Sequence, residues 1–219
     1  MRRCYRFLAL VLCVFGSVVV KADLIPLTIN GQDFSSLGSL SEASSASVIV
    51  MDNGEGLYGE VVSQAFYDTI DSDYYYMYQI ENSGPDIVEL FSLKPFAEAG
   101  GLTEVGYLSG NVPDAFVIGA DIPAGGSIFT DSGPTISFNF PGYINPLLPG
   151  EISKVLYVKS SLPPGEIMGN IINGGIADGG VVGPVPEPMT ICLLGFGALG
   201  LRGFQRRRLV QNSVGMQKG

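Results

Sequence analysis

The feature that most restricts how this chain can fold is the spacing of its apolar residues. From Ser47 onward they recur at every second position, in short runs cut by glycine, proline and asparagine. A period of two puts alternate side chains on opposite faces of an extended strand, whereas an amphipathic helix needs a period of 3.6. In residues 135–140 the apolar Ile136, Phe138 and Phe140 alternate with Thr135, Ser137 and Asn139. In residues 74–81, Tyr74, Tyr76, Tyr78 and Ile80 share one face and Tyr75, Met77, Gln79 and Glu81 the other. Residues 151–161 form another candidate strand, with Leu156 and Val158 on one face and Lys154 and Lys159 placed to guard an edge. Asn53-Gly54 favours the positive φ angles of a tight turn between two such runs. Residues 82–86, 111–114, 123–126 and 163–165 are further breaks. The pattern predicts an all-β fold: an antiparallel β-sandwich, immunoglobulin-like or jelly-roll in topology.

Either side of this body the composition changes. Residues 23–46 are rich in serine and read as a flexible lead-in, the sandwich is expected over 47–170, and the glycines of 171–184 suggest a flexible tether. All 21 acidic residues lie between Asp23 and Glu187, where the only basic residues are Lys94, Lys154 and Lys159, so this interval carries a net charge of −18. Such a surface repels polyanions and speaks against a nucleic-acid partner. Cations, or a polysaccharide matrix bridged by them, are compatible with it.

Histidine is absent, which removes Ser-His-Asp and Cys-His catalysis and every histidine-based metal site. The three cysteines, Cys4, Cys13 and Cys192, all lie near the ends, so the body must be held by its core without disulfides. The acidic clusters at Asp68, Asp71 and Asp73 and at Asp52 and Glu55 match no EF-hand loop and read first as solvated loops, second as weak calcium sites. Tyr74, Tyr75, Tyr76 and Tyr78 read first as core and second as a sugar-stacking face. Gly195, Gly197 and Gly200 spell G-x-G-x-x-G, but no acid follows Glu187 to hold a ribose, and no cofactor is expected.

The ends carry address information. Arg2, Arg3 and Arg6 precede an uncharged run from Phe7 to Val20, and Ala22 offers a cleavage point before Asp23. This predicts a signal peptide over residues 1–22, read by Sec-type export machinery. At the other end, residues 189–204 form an apolar, glycine-containing run interrupted only by Arg202. As a helix it is about 24 Å long against a hydrocarbon core of about 30 Å, so it spans a membrane only with thinning or snorkelling flanks. Arg206, Arg207 and Arg208 then stay on the cytoplasmic side, with 209–219 as a cytoplasmic tail. Pro186-Glu187-Pro188 stands just before the run, extended and unable to join a helix.

Together, Pro186, Glu187 and Pro188, the apolar run and Arg206, Arg207 and Arg208 resemble the PEP-CTERM sorting signal, over residues 185–208. The resemblance implies a bacterium that makes extracellular polysaccharide, and a membrane-embedded exosortase that recognises the signal and removes it near Pro-Glu-Pro. It further implies a product passing from the inner membrane to the cell surface or matrix. The expected protein is non-enzymatic surface or matrix cargo. The alternatives are a carbohydrate-binding module of the exopolysaccharide matrix and a hydrolase built on a carboxylate pair.

Overall fold

The structure, a computed structural model, describes residues 24–27, 29–94, 102–119, 125–129, 135–140 and 146–185. Ala22, Asp23, the apolar run 189–204, Pro186, Glu187, Pro188, Arg206, Arg207 and Arg208 lie outside the described residues. Among the described residues thirteen strands run in order: β1 Leu24–Leu27, β2 Asn30–Gln32, β3 Leu40–Glu42, β4 Ser47–Asp52, β5 Tyr58–Asp68, β6 Tyr74–Asn82 and β7 Leu90–Lys94. After them come β8 Leu102–Leu108, β9 Gly125–Phe129, β10 Thr135–Asn139, β11 Leu156–Ser160, β12 Pro164–Asn173 and β13 Gly175–Pro184. They form two sheets, one ordered β1-β9-β10-β7-β12-β13 and the other β2-β8-β11-β6-β5-β3, with β4 also on β5. All pairs are antiparallel except β2 with β8. The expected all-β, two-sheet architecture is observed.

Alternation explains the main core. Phe91 and Leu93 of β7, Ile136 and Phe138 of β10, and Ile167 and Ile171 of β12 meet Val61, Tyr76, Tyr78, Ile80, Leu156 and Val158 of the other sheet. Tyr78 packs on Phe91 at 5.6 Å between ring centroids, and Phe91 on Phe138 at 6.3 Å. Each such side chain removed from water contributes about 1.5–3 kcal/mol. The opposite face of β6 is buried as well. Tyr75 and Met77, with Tyr157 of β11 and Phe66 of β5, are covered by Leu37, Leu108, Val155 and Phe116. This second core is why β6 lacks an apolar/polar alternation: neither of its faces meets water over most of its length.

Three expectations need correction. The lead-in 23–46 is not a free spacer: β1 pairs with β9, β2 with β8 and β3 with β5, and Leu37 is buried. The tether 171–184 belongs to a ten-pair hairpin, β12 with β13, whose Ala177 and Val181 enter the core. Its glycines serve close approach. A Cβ on Gly179 would come within 2.5 Å of Ile49 Cγ2 on β4, so the bare backbone lets the sheets meet there. Finally, β11 is not an edge but lies between β8 and β6, and Lys159 is buried on it.

The Asn53-Gly54 turn is present between β4 and β5. Asn53 Oδ1 accepts from the N–H groups of Glu55 and Leu57, and Gly54 has φ 72°.

Candidate functional site where the chain leaves the sandwich

The last described strand carries the chain out of the domain. Pro184 of β13 stands opposite Pro164 of β12. This is a non-hydrogen-bonded pair of the ladder, where backbone N–H groups point away from the partner strand, so two prolines fit without costing a bond between β12 and β13. The next residue is still held. The Val185 N–H donates to the Pro163 carbonyl at 3.0 Å, and its side chain packs against the main core. A Cβ on Gly165 would come within 2.5 Å of Val185 Cγ2, so residue 165 must lack a side chain for Val185 to lie there. Gly183 and Pro184 are buried. Pro186 therefore follows a residue fixed to the fold, with no slack between them.

The other candidate residues are otherwise engaged. Lys159 donates to Asp71 Oδ2 at 2.7 Å, lies 3.6 Å from Asp73 Oδ2, and sits 5.2 Å from the Tyr75 ring centroid. Burial works against the charge of Lys159, but the hydrogen bond to Asp71 and the proximity of Tyr75 outweigh it and hold its pKa above the ordinary lysine range. Asp68 accepts from the Ile70 N–H at 2.9 Å and Asp52 from the Gly54 N–H at 2.7 Å. Among the described residues no three His, Cys, Asp or Glu side chains are grouped to hold a metal ion.

The tyrosines do not form an exposed row. Tyr75, Tyr76 and Tyr78 are buried, and the half-buried Tyr74 packs on Tyr67 at 5.0 Å. Tyr76 donates to the Leu162 carbonyl at 2.6 Å and Tyr157 to Glu104 at 2.6 Å. Glu104 also accepts from Gln32 at 2.7 Å. Desolvation is the largest influence on all four buried hydroxyls, at Tyr75, Tyr76, Tyr78 and Tyr157, and raises each pKa. The Gln32–Glu104–Tyr157 and Lys159–Asp71 contacts join residues 53 to 88 positions apart, and no local sequence signal announces them.

A groove of about 470 Å³ opens between the edges of the two sheets, along Ala43, Ser47 and Ile49 on one side and Gly180, Val181 and Val182 on the other. Among the described residues lining it Glu166 is the one acid, so these residues present no carboxylate pair.

Comparison with known proteins speaks to the segment that follows. Residues 184–208 match the model of the PEP-CTERM protein-sorting motif. The chain carries a PEP-CTERM sorting motif. Its match begins at Pro184, the last residue of β13, so motif and domain share a boundary. No curated protein and no solved structure matches the chain. Among the described residues no helix is long and apolar enough to cross a membrane.

Proposed function

We propose that this protein is exported, non-enzymatic β-sandwich cargo for the cell surface or extracellular matrix, delivered through its PEP-CTERM signal by an exosortase. In this reading the leader over 1–22 engages Sec-type machinery and is cut between Ala22 and Asp23. The apolar run 189–204 then holds the body outside the inner membrane, with Arg206, Arg207 and Arg208 inside. Exosortase recognises Pro186, Glu187 and Pro188 and frees the product.

The observation that carries the reading is the motif match at 184–208, set directly behind a complete two-sheet body. From Val185 to Met189 is four residue steps, about 14 Å at full extension. The sandwich is thus held against the bilayer surface before release, and a cut beyond Val185 leaves every strand in the product. The carbohydrate-binding alternative loses its stacking platform, because three of the four tyrosines proposed for it are inside the protein.

Replacing Pro186, Glu187 and Pro188 by alanine tests the role of the signal. Cell fractionation should then find the protein retained in the inner membrane, at least tenfold depleted from the surface fraction. Undiminished release would contradict the role assigned to the tripeptide.

A further inference from the structure

We infer that Asn173 is a site of spontaneous covalent modification, where water converts the side-chain amide to a carboxylate, while the fold holds the same dipeptide unreactive at Asn30 and Asn53. The chain has three Asn-Gly pairs, at 30–31, 53–54 and 173–174. Asparagine before glycine closes readily to a succinimide, because no Cβ shields the glycine nitrogen. At residues 173–174 the glycine nitrogen, having lost its proton, bonds to Asn173 Cγ, the Cγ–Nδ2 bond breaks and ammonia leaves. Water then opens the ring at either carbonyl and gives aspartate or isoaspartate. The net change is water consumed, ammonia released and a negative charge gained.

How each pair is held separates the three. Ring closure needs the asparagine side chain and the next nitrogen to swing toward each other. Asn30-Gly31 lies within β2, which pairs with β8 at every residue, and the Gln32 carbonyl accepts from the Ser109 N–H at 2.8 Å. A Cβ on Gly31 would come within 2.8 Å of the Tyr107 ring, so this backbone has a close neighbour on its side-chain face as well. At Asn53-Gly54 both reacting groups are tied. Asn53 Oδ1 accepts from the Glu55 and Leu57 N–H groups at 2.8 and 3.1 Å, and the Gly54 N–H donates to Asp52 Oδ1 at 2.7 Å. A nitrogen that must lose its proton there faces a carboxylate, and like charges disfavour that step.

Asn173-Gly174 closes the β12–β13 hairpin. The ladder is pinned just below it: Ile172 stands opposite Ile176, and the Ile172 carbonyl accepts from the Glu89 N–H at 3.0 Å. The end itself is open. Gly174 is exposed, and a Cβ there would meet nothing within 4 Å. Among the described residues no hydrogen bond holds the Asn173 side chain. Gly174 has φ 64° and Gly54 φ 72°, so glycine conformation does not distinguish the two turns, and the bonds on Asn53 and Gly54 do. Along β12, Asn173 is about 30 Å from Pro164, so the new charge appears at the end of the hairpin away from the chain's exit.

The test incubates the full chain, in mild detergent and mildly alkaline buffer, in heavy-oxygen water before digestion in ordinary water. Carboxylates formed during incubation then carry the label, and those formed in handling do not. Tandem mass spectrometry should find labelled aspartate and isoaspartate at residue 173 accumulating at least tenfold faster than at residues 30 and 53. In urea, which frees all three pairs from the fold, the three rates should draw level. Asp52→Ala should speed conversion at Asn53 severalfold and leave Asn173 unchanged. Asn173→Gln, which cannot close the same ring, should abolish the acidic species that isoelectric focusing finds in aged wild type. Equal rates at Asn53 and Asn173 in the folded protein, no labelled product at residue 173, or rates that differ as much in urea would overturn the proposal. So would slower conversion at Asn53 in Asp52→Ala, since the carboxylate would then be acting as a base.

Discussion

Tyr76 and Tyr78 sit two residues apart on one face of β6, and their hydroxyls differ. Tyr76 donates to Leu162, whereas Tyr78 Oη, fully buried, has no partner among the described residues. Removing a paired hydroxyl costs about 1 kcal/mol, while removing an unpaired buried one is neutral or favourable. Tyr76→Phe should therefore lower the stability measured by urea unfolding by about that amount, and Tyr78→Phe should leave it unchanged or raise it. The buried tyrosines also set an alkaline limit. Tyr75, Tyr76, Tyr78 and Tyr157 have folded-state pKa values raised above the unfolded value of about 10, chiefly by desolvation, and Lys159 is raised by Asp71 against its own burial. A group whose folded pKa is raised contributes in full below its unfolded pKa and loses that contribution as pH climbs toward the folded value. The urea midpoint should hold steady to about pH 10 and fall above it, with tyrosinate absorbance appearing together with unfolding. Full tyrosine titration near pH 10 in a still-folded protein would contradict their burial.

At the level of elements, β13 is the strand whose role composition hid most completely. Five of the ten residues before Val185 are glycine or proline, which reads as slack chain when side-chain volume is taken as the measure of packing. The structure uses small volume differently, to bring β13 onto β4 at Gly179. Gly179→Leu should cost about 1–3 kcal/mol by overpacking against Ile49, while Asp178→Ala, exposed on the same strand, should stay within about 0.5 kcal/mol. Equal small effects at both positions would return the segment to a tether. The faces of β10 and β11 were legible because alternation is a local signal. Whether a strand lies at an edge is decided by partners far along the chain, so Lys159 looked like a guard and is a buried cation between two aspartates. The serines of 23–46 misled in the same way. Ser44 Oγ accepts the Ala65 N–H at 2.9 Å, a contact 21 residues away that no composition reveals.

Over the whole molecule, the sorting residues were the most legible feature, because Pro186, Glu187, Pro188 and the arginines are recognised as a linear pattern and need no fold to be seen. What only the structure adds is where that pattern starts: Pro186 stands two residues after Pro184, behind a Val185 hydrogen-bonded to Pro163. The account rests on a finished sandwich being separated from its membrane segment at that junction. The most direct test is mass spectrometry of the C-terminus of the protein recovered from the cell surface. Chains that retain Val185 and lack Arg206, Arg207 and Arg208 are the predicted result, whereas surface protein that uniformly keeps the three arginines, or has lost part of β13, would contradict it.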